Sequence, residues 1–212
     1  LLGLQEIDGA LYYFGEDGKL VRSRTVTLDG VVYRADASGK LTTELTPITG
    51  TAQATAAQMT AYLRTVNPNV AQSVLDMIPC YLSEGAAEGI RGDIAFAQSC
   101  LETGNFTFRG SAVTLEQNNF CGMGVTSNGV KGNSFATPQL GIRAQIQHLK
   151  AYASTAALQQ VCVDDRFRYV QRGCAPYVEW LGIPEDPHGR GWAGGAGYGA
   201  KILRILTAIL QM

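Results

Sequence analysis

Residues 97–106 read Ala97-Gln98-Ser99-Cys100-Leu101-Glu102-Thr103-Gly104-Asn105-Phe106. Apolar residues before and within this stretch recur at helical spacing: Ile90, Ile94, Ala97 and Leu101. Gly104 follows them, and glycine is the residue type that most often ends a helix. The pattern therefore predicts a helix over residues 87–103, with Glu102 in its last turn beside the apolar stripe.

Glu102 lies where a carboxyl group can keep its proton near neutral pH. A helix C-terminus carries a partial negative charge, which disfavours an ionised carboxylate. We expect desolvation against Phe106 or Phe120 to raise the pKa further. A raised pKa suits a general acid, but an acidic residue near a helix end is more often a solvated surface residue. The position alone leaves both interpretations open.

Helical patterns continue through most of the chain after residue 52. Further helices are predicted over four ranges: 52–66, 70–82, 174–182 and 197–211. Thr137 and Pro138 form an N-cap and first-turn pair that begins another helix. Residues 105–136 are rich in Gly, Asn, Ser and Thr, which indicates a loop with short strands. The sequence therefore predicts a mainly α domain with a small β or loop lobe.

Two short repeats open the chain. Asp8-Gly9 recurs 21 residues later as Asp29-Gly30, and Tyr12 recurs as Tyr33 at the same offset. Each unit reads as strand, turn, strand, which predicts a β-hairpin. The domain boundaries predicted from these patterns are β-hairpin repeats at 1–45, a Thr- and Ala-rich linker at 46–55, and the main domain at 56–212.

The low charge of the chain indicates which kind of molecule it binds. Charged residues make up 17% of the chain and the net charge is −1, so nothing indicates binding to nucleic acid or to an anionic membrane. No apolar run approaches the ~20 residues of a membrane span. The five cysteines, an odd number, lack zinc-like spacing, and His148 and His188 lie far apart, so we expect no metal and no cofactor. A neutral polymer such as a glycan fits this balance.

Three motifs, in this order, resemble glycoside hydrolase family 73, the peptidoglycan N-acetylglucosaminidases. They are Ala97–Gly104, the loop Asn118-Asn119-Phe120-Cys121-Gly122-Met123-Gly124, and Gly191–Ile202. The resemblance covers residues 55–212 and implies a lysozyme-like (α+β) catalytic domain. It also implies that Glu102 protonates the glycosidic oxygen and that Tyr198 faces the cleft. Where family members usually have Thr-Asp-Pro before this Tyr, the chain has Gly194-Gly195-Ala196.

Substrate contacts are expected from five further side chains: Gln98, Asn118, Asn119, Phe120 and Trp192. The two asparagines could equally form a turn, because Asn accepts positive φ. Tyr198 could instead be a core residue at a helix start. Trp192 lies among glycines, which favours a sugar-stacking platform over a place in the core.

The opening repeats resemble choline-binding or cell-wall-binding repeats. Members of that family typically carry Trp where this chain has Leu4 and Leu11. Their choline sites are aromatic cages that hold a quaternary ammonium by cation–π attraction. We therefore do not expect choline binding, and a spacer role is the favoured alternative to wall binding.

A second catalytic carboxylate, which glycosidases generally use, is not evident. Residues 125–139 contain no acid, and Asp93 lies about 13.5 Å from Glu102 by helical rise. Either Glu116 activates a water molecule or the acetamido group of the substrate attacks C1. We favour the acetamido route slightly.

The expected function is hydrolysis of the β-1,4 bond between N-acetylglucosamine and N-acetylmuramic acid in bacterial peptidoglycan, as an autolysin or endolysin. A lytic transglycosylase or a lysozyme-like muramidase would also use one Glu at a helix end. A non-catalytic cell-wall-binding module is the alternative from another class. We expect a secreted monomer at the cell wall, with glycan strands as its partner. The chain begins at Leu1 without a basic n-region, so we expect no signal peptide in this stretch and expect the chain to be a fragment of a longer protein.

Overall fold

The computed structural model describes residues 1–28, 31–125, 127 and 129–212. The chain forms two compact units, Leu1–Thr46 and Pro47–Met212. In the described part of the chain, no helix is long and apolar enough to cross a membrane.

The first unit is an antiparallel sheet of short strands. They are β1 (Gly3–Ile7), β2 (Ala10–Phe14), β3 (Thr25–Leu28), β4 (Val31–Ala35) and β5 (Lys40–Glu44), in the order β1-β2-β5-β4-β3. Asp8 and Gly9 join β1 to β2 with positive φ at both residues, as a two-residue hairpin turn requires. The corresponding Asp29-Gly30 pair lies outside the described residues. Val21, Ala35 and Leu41 form the small core. The relationship of this sheet to cell-wall-binding repeats stays a prediction.

The second unit is helical. Its α-helices are α1 (Ala56–Val66), α2 (Gln72–Glu88), α3 (Gly92–Glu102), α4 (Pro138–Ala153) and α5 (Tyr198–Leu210). Short 3₁₀ turns cover Leu115–Gln117, Phe167–Tyr169 and Val178–Leu181. Together with the sheet of the first unit, these helices give an α+β fold, and the helical unit is consistent with a lysozyme-like domain.

Helix α3 is the centre of this unit. The sequence predicted one apolar stripe, but every residue from Gly92 to Cys100 is buried. The reason is that α2, α4 and α5 all pack against α3, so its polar residues also face protein. Polar side chains on such a helix must find partners inside the core.

The predicted start of this helix was wrong. Residues 87 and 88 belong to α2, which continues past its predicted end and stops at Gly89 in the left-handed conformation. Helix α3 then begins at Gly92, where a Cβ would lie only 2.1 Å from the carbonyl oxygen of Tyr81. The boundary between α2 and α3 is set by this close approach of their backbones. The spacing of hydrophobic residues does not show such an approach, so the sequence could not predict it.

The segment between α3 and α4 is also less regular than predicted. Its described residues contain the 3₁₀ turn but no strand. Side chains satisfy much of its backbone instead: Gln117 donates to the carbonyl of Lys131, and Asn118 donates to that of Phe135. Residues 174–182 form a 3₁₀ turn at their end instead of the predicted short helix.

Candidate active site

Glu102 is the last residue of α3 and is half-buried. Thr103 caps the helix, and Gly104 follows with φ of 59°, so the predicted glycine stop is confirmed. The carboxyl group reaches a cavity of about 360 Å³, whose walls include Val113, Cys121 and Trp192. A helix end thus presents a carboxyl group to an open cavity.

Tyr198 holds one oxygen of this carboxyl group. Its hydroxyl donates to Oε1 of Glu102, and Gln98 Nε2 donates to the same hydroxyl at 2.9 Å. Tyr198 is the first residue of α5, and a Cβ at the next residue, Gly199, would lie 2.2 Å from the carbonyl of Val178. This close approach sets the position of the ring. Tyr198 is 7% exposed, so it is a core residue at a helix start, and it is also the hydrogen-bond partner of Glu102.

The other oxygen, Oε2, remains on the cavity side. A Cβ built at Gly122, which lines the cavity, would lie 3.9 Å from it. Oε1 accepts from Tyr198, so Oε2 is the atom available to carry a proton towards a bound molecule. The two oxygens therefore have different environments.

Burial raises the pKa of Glu102, and the hydrogen bond from Tyr198 opposes part of that rise. Burial and the neighbouring Glu102 together keep the pKa of Tyr198 well above its usual value, so Tyr198 stays a donor. The direction agrees with the expectation from the sequence. Phe106 and Phe120 pack against each other in the core, with ring centroids 5.9 Å apart, and do not line the cavity.

Three of the residues expected to contact substrate are buried away from the cavity. Gln98 is 0% exposed, Asn119 1% and Phe120 1%. Asn119 donates to the carbonyls of Met123 and Asn133, so it shapes the loop from within. Asn118 takes positive φ, the turn conformation that the sequence left open. Their burial favours structural roles for Gln98, Asn119 and Phe120, and contact of these side chains with substrate remains a prediction.

Trp192 lines the Glu102 cavity and also a second cavity of about 170 Å³. The two cavities share Cys121, Gly122 and Val125 as well. The second one adds His148, Tyr152 and Arg166 to its walls. Aromatic rings pack on Trp192 here: His148 edge-on at 4.7 Å and Tyr152 at 5.6 Å between centroids. Together the cavities form an extended cleft with an aromatic wall.

His148 is a residue whose importance the sequence did not indicate. Its Nδ1 lies 2.7 Å from Oδ2 of Asp164, which is 2% exposed. Asp164 follows α4 in an irregular segment, so no periodic pattern connects it with a histidine inside the helix. Within the described residues, no group of three or more His, Cys, Asp or Glu side chains could hold a metal ion.

Glu116 lies in the 3₁₀ turn Leu115–Gln117, fully exposed, and a hydrogen bond with Thr114 lowers its pKa. Among the described residues that line the two cavities, Glu102 is the single carboxylate. Asp93 is 0% exposed and binds Arg91 and the backbone amides of Gln53 and Ala54. Its carboxylate therefore ties the start of the unit to α3.

Comparison with known proteins adds the family. Residues 78–210, more than half of the chain, match the Glucosaminidase family, described as mannosyl-glycoprotein endo-beta-N-acetylglucosaminidase. An uncharacterized protein of Borreliella burgdorferi is 40% identical over 151 residues, which cover 71% of this chain and 70% of that protein. The family match includes Glu102, Tyr198 and the residues that line both cavities. It begins after the N-terminal sheet and does not include it. The chain therefore belongs to the glucosaminidase family, and its helical unit is a glycosidase-type hydrolase domain.

Proposed function

We propose that this chain hydrolyses the β-1,4 bond between N-acetylglucosamine and N-acetylmuramic acid in peptidoglycan, with Glu102 as the general acid. Membership of the glucosaminidase family implies a peptidoglycan substrate. The observation that carries the assignment is the environment of Glu102: Tyr198 holds Oε1, and Oε2 lies beside the cavity. A carboxyl group with a raised pKa can be protonated there before substrate binds.

The first step transfers the proton of Oε2 to the glycosidic oxygen, and the C1–O bond breaks. In the substrate-assisted route, the acetamido oxygen of the sugar attacks C1 as the leaving alcohol departs. The resulting cyclic oxazolinium ion carries the positive charge. Glu102, now a carboxylate, accepts a proton from a water molecule that attacks C1 and reopens the ring. C1 is inverted twice, so the product keeps the β configuration.

The composition of the cleft favours this route over a second carboxylate. The described walls of both cavities contain no other carboxylate than Glu102. Glu116 is fully exposed on its turn and lines neither cavity. An acetamido group comes with the substrate, so it needs no second protein carboxylate.

The aromatic wall supplies a surface for the sugar rings. Trp192 is half-buried and lines both cavities, with Tyr152 packed beside it in the second one. Sugar rings stack their apolar faces on aromatic side chains, while their hydroxyls stay near polar groups such as Arg166. We infer that a glycan strand lies along both cavities, with the scissile bond at Glu102.

The decisive experiment is mass spectrometry of muropeptides released from purified peptidoglycan and then reduced with borohydride. A glucosaminidase leaves N-acetylglucosamine at the new reducing end, and a muramidase leaves N-acetylmuramic acid. A lytic transglycosylase leaves an anhydro sugar that is lighter by one water and cannot be reduced. A wall-binding module without activity releases nothing, and this outcome would reject the proposal together with its enzymatic alternatives.

We propose further that the protein works outside the cytoplasmic membrane, because its substrate lies there. Cell fractionation with an antibody to the helical unit tests this, and retention in the cytoplasmic fraction would contradict it.

A further inference from the structure

A chain of buried polar side chains leads from α2 through the core to the catalytic carboxyl group. Each link is a hydrogen bond from one side chain to the next: Tyr81 to Ser99, Ser99 to Gln145, Gln145 to Gln98, Gln98 to Tyr198, and Tyr198 to Glu102. The first four links measure 2.9 Å each. Tyr81, Ser99, Gln145 and Gln98 are all 0% exposed, so water does not substitute for any of these partners.

One backbone group sets the direction of the chain. Gln145 Nε2 donates to the carbonyl oxygen of Ala95 at 3.0 Å. A carbonyl oxygen can only accept, so the amide nitrogen of Gln145 must face it and Oε1 must face Ser99. Helix α3 itself provides this carbonyl, which makes the orientation independent of any titration.

The orientation of Gln145 then sets that of Gln98. The second N–H of Gln145 donates to Gln98 Oε1, so the amide nitrogen of Gln98 faces the hydroxyl of Tyr198. That hydroxyl receives a donor, and its own proton must point elsewhere. The nearest acceptor is Oε1 of Glu102.

We propose that Gln145 and Gln98 are positioning residues that direct the hydroxyl proton of Tyr198 to Glu102. This inference rests on the proposed role of Glu102 as the acid. Without Gln145, the Gln98 amide is free to turn and offer Oε1 to Tyr198, which draws the proton away from Glu102. The hydrogen bond that opposes the raised pKa of Glu102 is then lost, and the acid proton is no longer confined to Oε2.

The readout is the alkaline limb of the pH profile of kcat, which reports the pKa of the acid in the complex. Gln145→Met should move this limb to higher pH, because the ionised form of Glu102 loses a donor. It should also lower kcat by roughly 10-fold, the value of one hydrogen bond to a charged group, with KM little changed. An NMR titration of the Glu102 side-chain carboxyl should show the same upward pKa change in free protein.

Gln147→Met is the matched control. Gln147 lies on the same helix and is equally buried, but its side chain bonds the backbone of Val161 and Val163. This variant loses a comparable amount of buried hydrogen bonding, yet it should leave the alkaline limb and the Glu102 titration in place. A shift of equal size in both variants would show a general effect of core damage and overturn the proposal.

A double variant tests whether Gln145 acts on Glu102 through the hydroxyl of Tyr198. In a Tyr198→Phe background, Gln145→Met should add nothing to the shift, because its influence passes through the missing hydroxyl. An additional shift there would overturn the proposal. If Gln145→Met fails to fold, Gln145→Leu removes the same donor to Gln98 Oε1, and an unmoved limb in that folded variant would overturn the proposal.

These outcomes are distinct from a failure of the proposed function. If wild-type protein is inactive, or if Glu102→Gln retains activity, Glu102 is not the acid and the proposed function is wrong. If wild-type protein is active, Glu102 is essential and the limb does not move, then the positioning role alone is wrong.

Discussion

Three buried or half-buried glutamates show two opposite outcomes of burial. Glu84 and Glu88 on α2 are each 3% exposed, yet their pKa values are lowered. Burial raises both pKa values, but the partners lower them further than burial raises them. Glu84 accepts from Arg143 at 2.9 Å and from the neutral amides of Gln139 and Gln160. Glu88 accepts from Lys150 at 2.8 Å and from the backbone N–H groups of Gln159 and Gln160. Glu102 has only a neutral tyrosine, and its pKa is raised. The number and charge of the hydrogen-bonding partners therefore decide whether the pKa of a buried glutamate is lowered or raised.

Glu102→Gln should produce the largest effect. Gln cannot donate an acidic proton, so wall lysis should fall by about 10²–10⁴. The side-chain volume is unchanged, so the fold should persist. Turbidity of a cell-wall suspension measures the loss, and substantial residual lysis by a folded variant would remove Glu102 from its role.

The same variant should be more stable than wild type at neutral pH. The folded-state pKa of Glu102 lies above its unfolded value near 4.5, so the folded protein loses stability as the pH rises between the two values. A glutamine at position 102 does not ionise, so the variant does not lose this stability. Thermal unfolding at neutral pH provides the measurement.

Glu88→Gln should have the opposite effect on stability. It leaves Lys150, which is 4% exposed, without its carboxylate partner, and such a loss costs about 3 kcal/mol. The alkaline limb of kcat should stay in place. Denaturant unfolding measures the cost, and Glu88→Gln combined with Lys150→Met should recover part of it.

The dependence of the free energy of unfolding on pH at acid pH tests the carboxylate of Glu88. The lowered pKa of Glu88 contributes stability above the unfolded value near 4.5, and this contribution is lost as the pH falls through the folded-state value. Glu88→Gln should therefore flatten the acid side of the curve. An unchanged curve would mean that Lys150 does not depress this carboxyl.

Tyr198→Phe removes the neutral hydrogen-bond partner of Glu102. Removing the hydroxyl deletes the donor to Oε1, so kcat should fall roughly 10–100-fold and the alkaline limb should move up. KM should change little, because the bond serves the acid and not substrate binding. Steady-state kinetics on soluble muropeptides over a pH series measures both parameters, and a rise in KM alone would contradict the prediction.

Glu116→Gln should have a much smaller effect than Glu102→Gln. Glu116 is fully exposed and lines neither cavity, so its loss should leave most activity in place. Early NMR spectra of the product should show the β-anomer, as acetamido attack requires. An α-anomer together with an inactive Glu116→Gln variant would identify Glu116 as the base and reject substrate assistance.

Deletion of residues 1–45 should change hydrolysis of soluble muropeptides least of all. The N-terminal sheet has its own small core, and the family match does not include it. Loss of activity on soluble fragments, with the helical unit still folded, would make the sheet part of the catalytic machinery. Reduced activity on intact walls alone would favour a wall-binding role.

The sequence alone indicated Glu102, the proposed acid, and its hydrogen-bond partner Tyr198. Helical spacing and Gly104 located Glu102 at a helix end, and the ordered motifs indicated Tyr198. Thr137 and Pro138 began α4 as predicted, with the Thr137 hydroxyl accepting from the backbone N–H of Leu140. These features could be predicted because caps and periodicity depend on a few neighbouring residues.

The packing of the helices determined which polar residues surround Glu102. Gln98 and Gln145 meet because α4 packs against α3, and His148 meets Asp164 because the chain returns after α4. The same packing buries Phe120 and Asn119, which a motif alone placed in the cleft. Hydrogen-bond partners far apart in sequence are selected by helix packing and by the need to satisfy buried polar atoms. Local sequence patterns do not contain this information, so the sequence could locate Glu102 at a helix end but not the side chains that are bonded around it.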